Sequence, residues 1–220
     1  MDVLCVGHAS YDLIFTVDTH PASDEKVFAN DFLACGGGPA ANAAVQIAKL
    51  GGNAGFAGYL GLDLYGDKHL LELSQISVNT DFIIRGKLQT PLSTIIVKPN
   101  GDRSLINYKG ATKPLESGGI DFTGLDTKVV LFDGHEPFIS VDLANDLKVQ
   151  NIPMVLDAGS VSDGTTALLS KVDYAVCSEK FALQLYGDIK TALQHISSIA
   201  PVAVITFCLL YTSPSPRDQR

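Results

Sequence analysis

Three consecutive glycines, Gly36, Gly37 and Gly38, stand directly before Pro39 and an alanine-rich run that carries Asn42 near its start, in the stretch "ACGGGPAANAAVQIAKLGG". Glycines at a helix start leave backbone N–H groups uncovered, so a ligand can reach them directly. Asn42, on the first turn of the helix, donates and accepts at once, as a cluster of hydroxyls requires. Asn42, Gln46 and Lys49 share one face of that helix, while Ala40, Ala43, Ala44, Ile47 and Ala48 supply small packing surface. Other chemistries compete for the same residues. Gly36, Gly38 and Ala41 match G-x-G-x-x-A, and a nicotinamide-dependent oxidoreductase would bind NAD there. A dinucleotide fingerprint, however, follows the first buried strand. Here that strand ends at Gly7, and the residues before Gly36 are the half-polar "VFANDFLA". A phosphate loop of the Walker type needs Gly-Lys-Ser/Thr opening the helix, and Pro39-Ala40-Ala41 offers neither lysine nor hydroxyl. Beside the reading as a site for an uncharged polar ligand stands a plainer one, a tight strand-to-helix turn with Asn42 as an ordinary helix-start residue.

The elements that position this stretch are legible along the chain. Val3 to Val6 is a continuous apolar run, the pattern of a buried parallel strand. "YDLIFTVD" and "KVFANDFLA" read as strands with one face exposed, joined through the turn-forming "THPASDE". A helix is predicted from Pro39 to Leu50, with Gly38 as N-cap, Pro39 in the first helical position and Gly51 as the C′ glycine. "NAGFAGYL" is a short strand and "LDLYGDKHLLELSQIS" a loop and helix. Asn100-Gly101 between two β-rich runs is a hairpin signal. From "KVVLFDG" onward strands and helices alternate as far as "VAVITF", which predicts a parallel sheet with helices on both faces.

Composition bounds the function. The 220 residues carry a formal charge of −8, with 46% hydrophobic and 18% charged residues, an ordinary globular balance. The acidic charge argues against a general nucleic-acid surface. Cys5, Cys35, Cys177 and Cys208 stand alone, without a Cys-x-x-Cys pair, so neither zinc nor a disulfide framework is expected. There is no basic, apolar leader and no apolar run of membrane-spanning length, and a cytoplasmic enzyme or binding protein is the expectation. The segment 208–220, "CLLYTSPSPRDQR", breaks the pattern in mid-strand. It resembles the translation of a transposase adapter used in preparing sequencing libraries, and native sequence is expected to run through 1–207.

Several ordered motifs carry a resemblance: "VGHASYD", "GGGPAANAAVQIAKLGG", "AGYLGLDLYGDKHLLEL", "NGDRS", "VLDAGS" and "DYAVCSEKFALQLYG". Together they resemble the PfkB (ribokinase-like) family of carbohydrate kinases, over nearly all of residues 2–207. The pattern is nearest to ketohexokinase and sulfofructose kinase members. The resemblance implies a three-layer α/β/α core, incomplete at its C-terminal end, and a small β-sheet lid from about residues 11–35 and 91–110. It implies ATP and Mg2+, a sugar as phosphoryl acceptor with a ketose or related sugar preferred, and a possible homodimer through the lid. Asp12, Gly37, Gly38 and Asn42 take the family's sugar-holding positions. An ionised Asp12 accepts hydrogen bonds from two adjacent hydroxyls, and charge-assisted bonds are the stronger kind. His135 and Glu136, after "KVVLFDG", lie where ligands of open α/β sheets bind; they either touch the sugar or its substituents or are plain loop residues. Arg103 is either an exposed arginine or a partner for an anionic substituent or ATP phosphate, and Asp157 faces the nucleotide side. Many relatives carry Asn-x-x-Glu where this chain has Ser178, Glu179, Lys180 and Phe181, so a metal-placing carboxylate at Phe181 is missing.

Family members take the proton from the sugar with the aspartate of a Gly-Ala-Gly-Asp motif, whose helix start stabilises the transferring phosphoryl. The chain contains no such motif. It is therefore expected to phosphorylate nothing and, with an open sheet edge, to be poorly stable. A nucleoside kinase of the same family and a non-catalytic sugar-binding protein remain as alternatives beside the oxidoreductase.

Overall fold

The computed structural model describes residues 1–207, and the adapter-like stretch from Cys208 onward lies outside the described residues. The main sheet joins β1 (Val3–Val6), β4 (Ala54–Gly61), β5 (Asn79–Gly86), β8 (Val129–Phe132), β9 (Met154–Ala158), β10 (Tyr174–Ser178) and β11 (Val202–Thr206). Its order is β11-β10-β9-β8-β1-β4-β5, with all pairs parallel. Strands after β1 are added first on one side and then, from β8, on the other. The crevice at the carboxyl ends of β1 and β8 is thus the switch point at which such sheets bind ligands.

Alternation along β1 divides the interior in two. Leu4 and Val6 join a cluster with Phe132, Leu156 and side chains of α3 (Pro137–Gln150), α4 (Asp163–Leu169), α5 (Glu179–Tyr186) and α6 (Ile189–Ile199). Cys5 joins the other cluster, with Phe56, Leu60 and side chains of α1 (Pro39–Lys49) and α2 (Leu64–Gln75). Opposite faces of one strand therefore feed helix layers on both sides.

A second sheet stands apart from this core. It has four strands, in the order β3-β2-β6-β7, from β2 (Ser10–Thr16), β3 (Asp31–Gly37), β6 (Leu92–Val97) and β7 (Arg103–Tyr108). β2 pairs antiparallel with β3 and parallel with β6, and β6 pairs antiparallel with β7. No residue of β6 is fully buried and every residue of β7 is exposed, which explains the half-polar sequence.

Two details differ from the sequence reading. The strand expected over "KVFANDFLA" begins only at Asp31. β5 has no counterpart in that reading, because Asp81 and Arg85 interrupt its apolar run and none of its residues is fully buried. The hairpin expected at Asn100-Gly101 is present, joining β6 to β7 with Val97 paired to Arg103. Gly101 N donates to Lys98 O and Lys98 N to Asp102 O. Pro99 favours the first central position of such a turn, and only Gly101 takes positive φ, at 86°.

The junction of the two sheets is tied by polar groups. Asp63 caps α2 by accepting from Gly66 N and also accepts from Thr90 N and Thr90 Oγ1 in the segment entering β6. Glu72 accepts from Tyr11 OH and, at 2.6 Å, from Gly36 N. Beside it His69 is 1% exposed, packs against Gly36 and has no partner for Nδ1. Burial pulls its pKa from 6.5 to about 4. A depressed histidine contributes stability in full above its unfolded pKa and loses it as pH falls from 6.5 towards 4. His69 should account for about 2 kcal/mol of stability lost between pH 7 and pH 5. Urea melts of the wild type and of His69→Phe should show a shallower pH dependence in the variant; parallel curves would refute the assignment.

Candidate functional site

The candidate site lies where the small sheet meets α1. Helix α1 begins at Pro39 with Gly38 as N-cap, and Leu50 and Gly51 end it as the sequence predicts. Gly38 has no side chain to cap the helix, which leaves the first backbone N–H groups to be met otherwise. It adopts φ +98°, and a Cβ there would lie 2.3 Å from His8 O. Position 37 is closed in another way, since a Cβ on Gly37 would lie 2.3 Å from Asp12 Oδ2. The carboxylate of Asp12 thus rests on the bare face of Gly37, and it accepts from Ser10 Oγ at 2.9 Å. Asn42 N donates to Gly38 O at 2.9 Å, and Asn42 itself is half-buried. Asp12 therefore meets Gly37 in space, with Gly38 next in the chain and Asn42 one helical turn beyond it. Gly36 and Gly37 end an antiparallel strand of the small sheet, not the first buried parallel strand, so the dinucleotide match has the wrong surroundings.

The residue that organises this corner is Asp133, which the sequence reading missed. It follows β8, is 2% exposed and carries a carboxylate. Its Oδ2 accepts from His8 N at 2.8 Å and from Ala40 N at 3.0 Å. Its Oδ1 accepts from His135 N at 2.9 Å and lies 3.2 Å from His135 Nδ1. The uncapped start of α1 thus receives its cap from a strand elsewhere in the chain. Gly7 is required beside it, because a Cβ there would lie 2.0 Å from Asp133 Oδ1. Burial alone would raise the Asp133 pKa, but hydrogen bonding and charge from His135, with the backbone N–H groups, hold it below the usual range. The signal available was an acidic residue ending the apolar run "VVLF", the same signal that singled out Asp157.

His135 is brought to the site through Asp133. The Asp133 hydrogen bond raises its pKa, and its ring stacks on His8 with centroids 5.1 Å apart. His8 moves the opposite way, to about 4, through burial and the neighbouring His135. Glu136 is 7% exposed and accepts from Leu115 N at 2.6 Å. Burial lifts its pKa to about 7. Asp157, at the end of β9, is open to solvent, though desolvation by surrounding protein and then the charge of Asp133 raise its pKa.

Arg103 is not brought to this group. The register aligns Asp12 with Ser93 and Ser93 with Asn107, whereas Arg103 pairs with Val97. Four residues separate Arg103 from the Asp12 row, roughly 14 Å along a strand. Phe181 is fully buried in the core and its N–H donates to Ser178 Oγ, the N-cap of α5. Its side chain serves packing. Next to it Glu179, Lys180, Leu183, Thr206 and Phe207 line an open recess of about 420 Å³. A larger one, about 560 Å³, lies between α3 and the loop 118–125 and contains none of the candidate residues. Among the described residues no group of three or more His, Cys, Asp or Glu is arranged to hold a metal, and no helix is long and apolar enough to cross a membrane.

With this geometry in view, comparison with known proteins decides the family. Residues 1–206 match the pfkB family carbohydrate kinases. The chain belongs to this family. It is 34% identical over 110 residues to a ribokinase of Bacillus subtilis, covering 50% of this chain and 38% of that protein. It is 42% identical over 65 residues to a fructokinase of Salmonella typhimurium, covering 29% of this chain and 20% of that protein. The matched stretches thus span well under half the length of these relatives. The structure of an Arabidopsis thaliana ribokinase complexed with ribose and ATP superposes with a TM-score of 0.75 at 21% identity, over 94% of this chain and 72% of that one. That likeness establishes the ribokinase-type fold. The finer resemblance to ketohexokinases has no counterpart among these matches.

The two glycine environments yield a test. Gly38→Ala and Gly101→Ala both place a side chain at positive φ, but only position 38 also has backbone within contact. Gly101→Ala should cost about 1 kcal/mol of stability, and Gly38→Ala at least about 2 kcal/mol more, since backbone must shift. Thermal melts showing equal losses would contradict the close approach at Gly38.

Proposed function

We propose that the chain is the sugar-holding part of an ATP-dependent carbohydrate kinase. The observation that carries this reading is the convergence of Asp12, Gly37, Gly38 and Asn42 at the edge of the small sheet, in a chain of the pfkB family. Asp12 supplies a carboxylate for adjacent hydroxyls, and the Asn42 amide supplies a donor and an acceptor. Among the described residues the Asn42 side chain has no hydrogen-bond partner. In this reading the small sheet acts as a lid, and the sugar lies between it and the carboxyl ends of β1 and β8. A ketose or a pentose fits the paired-hydroxyl chemistry, and a ribokinase and a fructokinase are both among the relatives.

ATP and Mg2+ belong to the same proposal. The recess beside Ser178 and Thr206 is at the carboxyl ends of β10 and β11, a place suited to the nucleotide. Mg2+ keeps several waters and binds through one or two carboxylates plus phosphates, so it needs no dedicated protein cage. Glu179 lines that recess, and Asp157 stands on β9, paired with Val176 of β10. The chain has no Gly-Ala-Gly-Asp sequence, and we therefore propose that it binds sugar without transferring phosphoryl to it.

Calorimetry of the 220-residue chain against ribose, deoxyribose, fructose and a nucleoside tests this. One sugar should bind, and Asp12→Asn and Asn42→Ala should each weaken it about tenfold or more. ATP with Mg2+ should yield no sugar phosphate. Absence of binding to the whole panel, or unchanged affinity in both variants, would overturn the reading.

The small sheet also presents Phe32 (53% exposed) and Ile106 (66%) on its two edge strands, and the register sets both on one face. We propose that a second copy of the chain covers part of this apolar surface. Sedimentation should then give a dimer that Ile106→Asp converts to a monomer; a monomeric wild type would dismiss it.

A further inference from the structure

We propose that Asp133 is the positioning residue of the site: one buried carboxylate holds the start of the sugar-binding helix with one oxygen and the His135 ring with the other, coupling the two. This deepens the sugar-binding reading and rests on it for its functional meaning.

The division of labour is explicit in the geometry. Oδ2 takes the N–H of Ala40 and that of His8. Ala40 stands between Gly38 and Asn42 on the first turn of α1, so its N–H fixes the turn that presents both candidate sugar contacts. Oδ1 takes the backbone and ring nitrogens of His135. With Nδ1–H committed to the carboxylate, a neutral His135 offers Nε2 as an acceptor, and a protonated His135 offers it as a donor. Charge on His135 must therefore be felt at Ala40 through a single carboxylate, across a buried low-dielectric path. The other titratable groups coupled to this pair are Cys5, His8, Lys109, Glu136 and Asp157.

An isosteric change separates the two tasks. Asparagine presents one oxygen and one NH2, so it can accept from one side only and must set a donor against the N–H groups of the other. Asp133→Asn therefore has to lose either the α1 contact or the His135 contact, and both consequences are measurable.

The experiment is an NMR pH titration of the full chain, following the His135 ring and the Ala40 amide. In the wild type the His135 midpoint should lie above its ordinary 6.5, and the Ala40 amide should show an inflection at the same pH. That inflection should vanish in His135→Gln. In Asp133→Asn the His135 midpoint should fall, and affinity for the sugar found in the panel should fall about tenfold. An Ala40 amide that ignores the His135 titration, or a His135 midpoint unchanged in Asp133→Asn, would overturn the proposal. Should Asp133→Asn fail to fold, the wild-type and His135→Gln titrations decide by themselves. Should the wild type bind no sugar, the functional reading falls, while the titration still judges the coupling through Asp133.

Discussion

A buried carboxylate is costly unless its lone pairs are met by donors, and the centre of this molecule is arranged around meeting those of Asp133. The carboxylate lies at the switch point of the main sheet. β1 stops at Gly7 because any larger residue would occupy the carboxylate's space. The turn after β8 curls His135 back onto it. Helix α1 begins with a glycine because its cap arrives from outside, from a residue 93 positions further along the chain. That arrangement releases the N-cap position from its usual polar side chain. It is the reason the backbone at Gly37 and Gly38 can lie bare beside Asp12.

Local signals were strong enough to read much of this from the sequence. The bounds of α1 follow from Pro39 and Gly51, the main sheet from alternation after residue 128, and the exposed small sheet from half-polar strands. Asp12, the glycines and Asn42 meet because strand and helix starts are local features. Asp133 escaped because its importance is tertiary. Asp133 and Asp157 look alike in sequence, each an acid ending an apolar strand. Only packing distinguishes them, leaving one sealed against three elements and the other open to solvent. His69 and Glu72 escaped for the same reason, since both lie in an ordinary helical pattern and act on strands remote in sequence. Arg103 shows the converse, a residue whose type suggested chemistry but whose register sets it at the far end of the sheet.

The polar groups around the site divide according to burial. His8 and His69 are driven towards neutrality by loss of solvent, whereas His135 is drawn towards charge by its carboxylate. Glu136 is pushed towards the neutral acid. Burial and charge thus push neighbouring groups of the crevice in opposite directions. Phe181 extends the same logic, for where a carboxylate would have been buried among Leu and Ile side chains the chain carries a ring that needs no partner.

The parallel pairing of β2 with β6 joins Tyr11 to Leu92 and Thr16 to Val97. Between these partners the chain must first lay down β3, α1, β4, α2 and β5. Contacts of such separation form late, because loop closure must precede any gain from pairing. The main sheet's β1–β8 pairing, Val3 with Val129, spans a still longer separation, so burial is what sets the small sheet apart. Its exposed strands share little of the core's burial, so it is among the first parts to open. Loss of ligand binding on heating can then run ahead of loss of the parallel sheet, and the working life of the site is set by the small sheet, not by the core beneath it.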